Sequence, residues 1–329
     1  MSQIFRSVIA GTGSALPDKV MTNFDLEKIV DTSDEWITTR TGIKERRIAE
    51  EGEYMSTFAT GASRKALEMA GIDAADVDLI ICGTVTPDMP IPSTACFIQE
   101  NLGAKRAACF DMAAGCSGFI YGLEIANQFI TTGTFRNILV IGAELLSKFL
   151  DWTDRTTCVI FADGAGAALV TRGEAPRGIL ASCLRADGKM ADFICLPGGG
   201  TRNPPSEKTY REGLQYIRMK GNETFKIAVR SLEEVSREVL RRANLTPDQV
   251  DLFVPHQANR RIIDAVGVRL GVDPDRVYVN VDRVGNTSAA SIPIALDEAV
   301  RANRVKPGDI ILFAAFGAGL TWGATLLRW

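Results

Sequence analysis

The chain has 329 residues, 46% hydrophobic and 23% charged, which is ordinary for a globular protein with one extended core or two fused ones. Its 37 basic and 40 acidic residues give a formal charge of −3, which argues against a nucleic-acid-binding protein. The amino terminus lacks the pattern of a secretory signal, and no apolar run approaches the roughly 20 residues that cross a bilayer. We therefore expect a soluble protein.

Strand-like and helical segments alternate along the chain, which predicts an α/β protein with layered sheets and helices. Apolar strand patterns cover residues 77–82, 107–112 and 137–142. Between Thr224 and Ala243, apolar residues recur with the period of an amphipathic helix. Seven cysteines are scattered through apolar segments without CxxC spacing, which argues against a disulfide framework or zinc site and fits a reducing cytoplasm.

The two parts of the chain contain similar segments in the same order, and such repetition indicates an internal duplication. A single match between two helix-loop-strand units could be chance, but four in one order are not. The paired segments, about 170 residues apart, are 70–81 with 243–254, 102–103 with 270–271, 115–117 with 285–287, and 138–143 with 310–315. The sequence therefore predicts two α/β halves, 1–172 and 173–329, with Cys116 and Asn286 at equivalent corners.

Cys116 follows a predicted strand and a glycine, and a helix is predicted from about Ser117. A thiol at a helix N-terminus lies near unpaired N–H groups and the positive end of the helix dipole, which favour the thiolate. Cys116 is therefore the candidate nucleophile. The alternative is that a crowded turn simply needs a small apolar residue.

Two further polar residues follow predicted strands in the second half. His256 is the only histidine, and it lies between a strand at 251–254 and a helix predicted at 257–270. Functional groups gather at such carboxyl ends of strands in α/β proteins, although a lone histidine can also be a satisfied core residue. Asn286 lies at a second predicted helix start. The alternative to a catalytic role is that it caps this helix, and one asparagine can fill both roles.

The carboxy-terminal segment from Ala314 to Gly323 is rich in small residues and follows a strand predicted at 309–313. Glycine-rich turns allow backbone N–H groups to approach a substrate oxygen, as an oxyanion hole requires. The alternative is an ordinary tight turn. The glycines after Asp163 lack the lysine and the spacing of a phosphate loop, so we interpret them as structural.

Five separated motifs together resemble β-ketoacyl-acyl-carrier-protein synthase III of the thiolase superfamily, the initiating condensing enzyme of type II fatty-acid synthesis. The similarity runs nearly end to end. The motifs are 31–43 (DTSDEWITTRTGI), the segment around Cys116, 255–259 (PHQAN), 285–291 (GNTSAAS) and the glycine-rich end. The resemblance implies a thiolase-like fold, in which two duplicated halves form a layered α-β-α-β-α sandwich.

The resemblance also assigns roles to individual residues. Cys116 would be the acylated nucleophile, His256 and Asn286 would bind the malonyl thioester carbonyl, and the backbone N–H groups of Cys116 and Ala318 would form the oxyanion hole. Ile91 would occupy the position that reaches the acyl pocket across the dimer, where the family often has an aromatic residue. Residues implied for coenzyme A and pantetheine are Thr32, Trp36, Arg40, Arg155, Gly221, Phe225 and Asn259, and those for the carrier protein are Lys226, Arg261 and Arg269.

The implied reaction condenses an acyl-CoA primer with malonyl-acyl-carrier protein, and releases coenzyme A and CO2. The resemblance implies a cytoplasmic homodimer with no cofactor, because the coenzyme A thioester is a substrate. Three alternatives stay open: a condensing enzyme of a polyketide or specialised-metabolite pathway, a Cys/His/Asn thioester hydrolase, and a catalytically silent acyl-CoA-binding protein. For the three carrier-protein residues, the alternative is a solvated charged face.

Overall fold

The computed structural model describes residues 5–329, apart from the side chain of Asn222. Residues 1–4 lie outside the described part. The prediction that the amino terminus is not a secretory signal covers these residues. Within that part, no helix combines the length and the apolar character that a membrane crossing requires.

Strands and helices alternate along the chain, as the sequence predicts. The strands are β1 (Arg6–Ala15), β2 (Val20–Thr22), β3 (Glu45–Arg47), β4 (Leu79–Gly83), β5 (Ala108–Met112), β6 (Asn137–Leu145), β7 (Asp163–Gly173), β8 (Gly178–Ala186), β9 (Ile194–Cys195), β10 (Arg218–Met219), β11 (Leu252–Pro255), β12 (Ile310–Gly317) and β13 (Thr321–Arg328). The α-helices are α1 (Asn23–Leu26), α2 (Asp34–Thr41), α3 (Met55–Ala70), α4 (Thr94–Leu102), α5 (Gly118–Thr131), α6 (Glu207–Arg211), α7 (Gly221–Arg242), α8 (Arg260–Leu270), α9 (Val281–Val284) and α10 (Ser291–Arg301).

Two large sheets form the frame of the molecule. The first has the strand order β1-β7-β6-β4-β5 and the second the order β11-β12-β13-β8. Strands β4, β5 and β6 are parallel, as are β11 and β12. Side chains that follow parallel strands meet at one edge of a sheet. Cys116 follows β5, His256 follows β11 and Ala318 follows β12, so the connectivity brings all three to such edges.

Helices α5 and α10 form a central layer between the two sheets. Apolar residues recur along α5 at helical spacing, from Phe119 through Leu123 to Ile130, and all are buried. They share one core cluster with residues of both sheets, and Phe119 meets Phe313 of β12 edge to face at 6.4 Å between ring centroids. This burial fixes the position of the α5 N-terminus, beside Cys116.

The outer faces of the sheets are covered by the remaining long helices. Helices α3 and α4 pack on the first sheet through residues such as Ala62 and Ile98, and α7 and α8 pack on the second through residues such as Leu232 and Val266. Alternate strand residues face opposite layers: Ile80 faces the outer helices while Ile81 faces the central layer. The result is the expected α-β-α-β-α sandwich.

The strands of the first sheet come from residues 6–173 and those of the second from 178–328. The predicted boundary between residues 172 and 173 falls inside β7, because this strand ends at Gly173. The interpretation of the two parts as duplicated halves stays a prediction.

Some predicted helix starts are wrong by a few residues. The helix after Cys116 begins at Gly118, preceded by a 3₁₀ turn over Gly115–Ser117, and the helix after His256 begins at Arg260. Asn259 caps α8 by accepting a hydrogen bond from the Arg261 N–H at 2.8 Å. Residues 256–259, between β11 and α8, are therefore not helical.

Candidate active site

Cys116, His256 and Asn286 line one tunnel, although they are far apart in the sequence. The tunnel has a volume of about 780 Å³ and runs from these residues to Trp36, Arg40 and other residues at its mouth. The sequence predicts the three residues singly, and the fold brings them into one cavity.

Two glycines allow the chain to pass closely behind Cys116. A Cβ atom at Gly317 would lie 2.4 Å from the Cys116 nitrogen, and one at Gly115 would lie 2.7 Å from the Ala318 nitrogen. Gly115 also has a φ of +53°, in the left-handed region that favours glycine. The backbone nitrogens of Cys116 and Ala318, the predicted oxyanion-hole pair, therefore belong to two directly packed turns. Only small residues fit between them.

Replacing Gly317 with alanine should slow acylation of Cys116 by about 10²-fold, because a displacement of about 1 Å at a reacting centre has effects of that size. The added methyl group would push on the Cys116 nitrogen at 2.4 Å, a contact that only a backbone shift relieves. Single-turnover acylation measured by intact mass would test this. Gly188→Ala is the matched control, because a Cβ there meets no atom within 4 Å. Equal acylation rates for both variants would contradict the proposed packing constraint.

Opposing effects act on the pKa of the Cys116 thiol. Burial raises its pKa to about 12, and the charge of Glu144 also raises it, against a lowering by a hydrogen bond with Ser288. The thiolate favoured by the helix N-terminus therefore stays a prediction, which burial of the sulfur opposes and nearby hydrogen bonds favour. Cys116 lies in a 3₁₀ turn ahead of α5, and the loss of water around it outweighs the favourable N–H groups.

His256 is fixed at both its backbone and its ring. Its N–H donates to the Ala314 carbonyl at 2.8 Å, which continues the pairing of β11 with β12. Its Nδ1 lies 2.6 Å from the Ser291 hydroxyl oxygen, at the start of α10. The side chain is buried, and the loss of solvation lowers its pKa to about 3. The imidazole is therefore neutral at physiological pH.

Lowering the pH should destabilise the protein through His256. The unfolded chain takes up a proton near pH 6.5, whereas the folded chain resists it until about pH 3, so this contribution to stability is lost as the pH falls through that window. The expected loss between pH 7 and pH 4.5 is about 2.5 kcal/mol. Urea unfolding of the wild type and of His256→Gln across this range isolates the effect, since the variant has no histidine. A constant difference between the two would contradict the pKa shift.

Asn286 is oriented by its own turn. Its Oδ1 accepts a hydrogen bond from the Ser288 N–H at 2.9 Å. The predicted N-cap role is wrong, because Thr287 precedes the 3₁₀ turn Ser288–Ala290 and Ala290 precedes α10. The backbone of Asn286 is held between the Ile160 carbonyl, at 3.1 Å, and the Ala162 N–H, at 2.9 Å. Because the side-chain oxygen is already engaged, the amide NH2 group is the part available to a ligand in the tunnel.

The tunnel mouth combines an indole ring with guanidinium groups. The guanidinium carbons of Arg40 and Arg155 lie 4.8 and 5.1 Å from the Trp36 ring centroid. The Asn259 amide donates to the Arg40 carbonyl at 3.0 Å and links α2 to the start of α8. The residues predicted for coenzyme A that line the tunnel are Trp36, Arg40, Arg155, Gly221, Phe225 and Asn259. Thr32 is not among the lining residues.

Of the residues predicted to bind the carrier protein, two lie at the tunnel and one does not. Lys226 and Arg261 line it, and the Arg261 guanidinium lies 5.3 Å from the Phe225 ring. Arg269, in the last turn of α8, forms an ion pair with Glu233 at 3.2 Å outside the lining. Ile91 also lies outside the lining and is 85% exposed in the single chain.

The sequence predictions missed three polar residues beside the site: Glu144, Ser288 and Ser291. Glu144 interrupts the apolar run near the end of β6 and is fully buried. An acidic residue within such a run is the one sequence signal that could have indicated it. The two serines lie in the predicted 285–291 motif, and their contacts depend on the fold. Among the described residues, no group of three or more potential metal ligands occurs.

Comparisons with known proteins identify the family. Models of 3-oxoacyl-[acyl-carrier-protein] synthase III match residues 110–188, and models of its carboxy-terminal part match residues 240–329, together more than half of the chain. The β-ketoacyl-[acyl-carrier-protein] synthase III of Caldanaerobacter subterraneus subsp. tengcongensis is 58% identical over 98% of this chain and 97% of its own.

Solved structures agree with the sequence comparison. The 3-oxoacyl-[acyl-carrier-protein] synthase III of Aquifex aeolicus has a TM-score of 0.92 and 54% identity, over 98% of this chain and 100% of that one. The priming β-ketosynthase of the R1128 polyketide pathway also has a TM-score of 0.92, but only 36% identity, over 100% and 98% of the two chains. The polyketide alternative is therefore not favoured. The predicted family and thiolase-like fold are confirmed: this chain belongs to the β-ketoacyl-acyl-carrier-protein synthase III family and is a condensing acyltransferase that initiates fatty-acid synthesis.

Proposed function

We propose that the chain transfers an acyl group from coenzyme A to Cys116 and condenses it with malonyl-acyl-carrier protein, with His256 and Asn286 generating the carbon nucleophile. The observation that carries this assignment is the single tunnel that joins these three residues to the Trp36 and arginine mouth. An indole face suits the adenine of coenzyme A, and guanidinium groups suit its phosphates.

In the first stage, the Cys116 sulfur attacks the thioester carbonyl and coenzyme A leaves, so that the acyl group is held covalently. The developing negative charge on the carbonyl oxygen needs donors in place before the reaction. The backbone N–H groups of Cys116 and Ala318 would supply them, and the packing of Gly317 against the Cys116 nitrogen supports this arrangement.

In the second stage, the malonyl thioester enters the same tunnel, and its carbonyl oxygen becomes negative as CO2 departs. Hydrogen bonds from His256 and Asn286 would stabilise this enolate. The Ser291 hydroxyl oxygen already accepts from the Gln257 N–H at 3.3 Å, so its own proton can go to His256 Nδ1. The ring proton would then be on Nε2, as a donor to the substrate. The carbanion attacks the acylated Cys116 at short range and releases the β-ketoacyl product.

No cofactor is needed in this scheme, because the thioesters supply the leaving groups and loss of CO2 drives formation of the carbon–carbon bond.

Lys226 and Arg261 at the mouth could attract an acidic carrier protein, and Arg269 would extend that surface. Thr32 belongs to the proposed pantetheine surface on the strength of the family resemblance alone.

We also propose a cytoplasmic homodimer. Within residues 5–329, the outer edge of β5 pairs with no other strand, and such an edge is a ready surface for a second copy. The exposure of Ile91 fits its proposed role of entering the acyl pocket of the partner. Seven free cysteines fit a reducing compartment. Light scattering would test the dimer.

A panel of acetyl-, branched- and medium-chain acyl-CoA thioesters would test the function. Each is mixed with the protein, and the mass of the Cys116 peptide and of the product with malonyl-acyl-carrier protein is measured. We expect acylation of Cys116 followed by a β-ketoacyl product. Release of free acid in place of that product would favour the thioester hydrolase, and no mass shift on Cys116 would favour a silent acyl-CoA-binding protein.

A further inference from the structure

A buried glutamine lies directly after the histidine of the site. Gln257 is fully buried, and its side-chain amide forms four hydrogen bonds, all with backbone groups. The NH2 group donates to the carbonyls of Pro255 at 2.8 Å and Tyr278 at 3.1 Å. The Oε1 atom accepts from the N–H groups of Asn280 at 2.9 Å and Val281 at 3.2 Å. The hydrogen-bonding capacity of this amide is therefore used within the protein, and Gln257 has a structural task beside the site.

The backbone partners fix the orientation of the Gln257 amide. A rotation of the amide plane by 180° would place its oxygen against two carbonyl oxygens and its NH2 group against two N–H groups. Buried polar groups that lose their partners in this way carry the full cost of desolvation. The side chain therefore keeps one arrangement, and it links the end of β11 to the segment 278–281.

The segment that the Gln257 oxygen holds leads directly to Asn286. Asn280 precedes helix α9, and its own side chain does not cap this helix. Gln257 Oε1 supplies the cap from a distant part of the chain, because it accepts from the N–H groups at the start of α9. At the other end of α9, Gly285 donates its N–H to the Val281 carbonyl at 3.0 Å, and Asn286 follows. The position of α9 therefore helps to set the position of Asn286.

Gln257 also holds both peptide groups that flank His256. The peptide group before His256 contains the Pro255 carbonyl, which accepts from the Gln257 NH2 group. The peptide group after His256 contains the Gln257 N–H, which donates to the Ser291 hydroxyl oxygen at 3.3 Å. The same hydroxyl oxygen lies 2.6 Å from His256 Nδ1. One residue thus fixes the backbone of His256 and, through α9, the turn of Asn286.

We propose that Gln257 is a positioning residue that holds His256 and Asn286 at the separation required for decarboxylation of the malonyl group. This inference rests on the proposed function of these two residues. Both would donate to one carbonyl oxygen, so a change in their separation weakens at least one hydrogen bond to the developing enolate. The hydrogen-bond partners of Gln257 all lie within residues 255–291, whereas Cys116 follows β5 in the other sheet. Acylation of Cys116 therefore does not depend on this link.

The test compares decarboxylation with acylation in two variants of Gln257. Methionine at this position has a similar length and forms none of the four side-chain hydrogen bonds. In Gln257→Met, release of labelled CO2 from malonyl-acyl-carrier protein should fall at least ~10-fold, because small displacements of catalytic groups have effects of this size or larger. Single-turnover acylation of Cys116 by acetyl-CoA, read by intact mass, should stay near the wild-type rate.

Gln257→Glu is the conservative variant. A carboxyl group that faces two carbonyl oxygens in the protein interior would be protonated, so it would lose only one of the hydrogen bonds and would still cap α9. It should recover part of the decarboxylation rate that Gln257→Met loses. A variant that merely loosens the fold would not show this recovery in one stage of the reaction alone.

Asn137→Ala is the matched control. Asn137 is a buried amide at the start of β6 that donates to the Asp76 carbonyl at 2.9 Å, accepts from the Thr171 hydroxyl at 2.6 Å and does not line the tunnel. Its replacement should lower the thermal unfolding temperature and leave the ratio of decarboxylation to acylation unchanged. A fall in this ratio equal to that of Gln257→Met would indicate general destabilisation and would overturn the positioning role.

Two other results would also overturn it: wild-type decarboxylation in Gln257→Met, or an equal loss of decarboxylation and acylation. Circular dichroism at the assay temperature establishes that each variant is folded. If Gln257→Met does not fold, the same ratio measured in Gln257→Glu decides, since a smaller but selective loss of decarboxylation is expected there. Failure of the wild type to release CO2 would instead overturn the proposed function.

Discussion

Replacing Cys116 with alanine should abolish acylation and lower the overall condensation rate by at least ~10⁴-fold, because removal of a covalent nucleophile has effects of this size. The variant should still decarboxylate malonyl-acyl-carrier protein, since the proposed donors His256 and Asn286 remain in place. Intact mass after incubation with acyl-CoA reports the first stage, and release of labelled CO2 reports the second.

The control for this experiment is Cys96→Ser, which removes an exposed thiol on α4 that does not line the tunnel. It should acylate at the wild-type rate. If Cys116→Ala still accepts an acyl group, another residue is the nucleophile. If it loses decarboxylation as completely as acylation, the two stages do not divide between the residues as we propose.

Replacing Asn286 with alanine should have the opposite pattern. Cys116 should still become acylated, whereas decarboxylation should fall by about 10²- to 10³-fold, the usual effect of removing one donor to a developing oxyanion. The loss of the Ser288 N–H contact to Asn286 Oδ1, at 2.9 Å, should also lower stability by about 1 kcal/mol. Labelled CO2 release and acylation are measured on the same preparation.

Asn101→Ala provides a matched control, since this exposed asparagine at the end of α4 does not line the tunnel. Both stages should proceed normally in it. Unchanged decarboxylation in Asn286→Ala would remove Asn286 from the second stage. Parallel loss of both stages would instead indicate that Asn286 mainly holds the turn that carries Ser288.

Local patterns in the sequence were sufficient for much of the fold, and they indicated three candidate residues that the structure brings into one tunnel. The continuous apolar run of β4 reflects burial of both of its faces, and the helical spacing of apolar residues in α5 reflects burial against the two sheets. Helix starts were less accurate: the side chains of Gln257 and Asn259 form hydrogen bonds with backbone groups, and α8 begins only at Arg260. Such capping contacts depend on neighbouring segments that a periodic pattern does not reveal.

By itself, the sequence determined that a cysteine and the one histidine stand after strands. The strand predicted before Asn286 is wrong, because the short helix α9 (Val281–Val284) precedes it. The tertiary structure decided the electrostatics of these residues. The pKa of the Cys116 thiol depends on desolvation by surrounding segments and on Glu144 and Ser288, which are remote from it in the chain. Desolvation is a property of the assembled surroundings, so the sequence pattern of a helix N-terminus does not reveal how strongly it acts on the thiol.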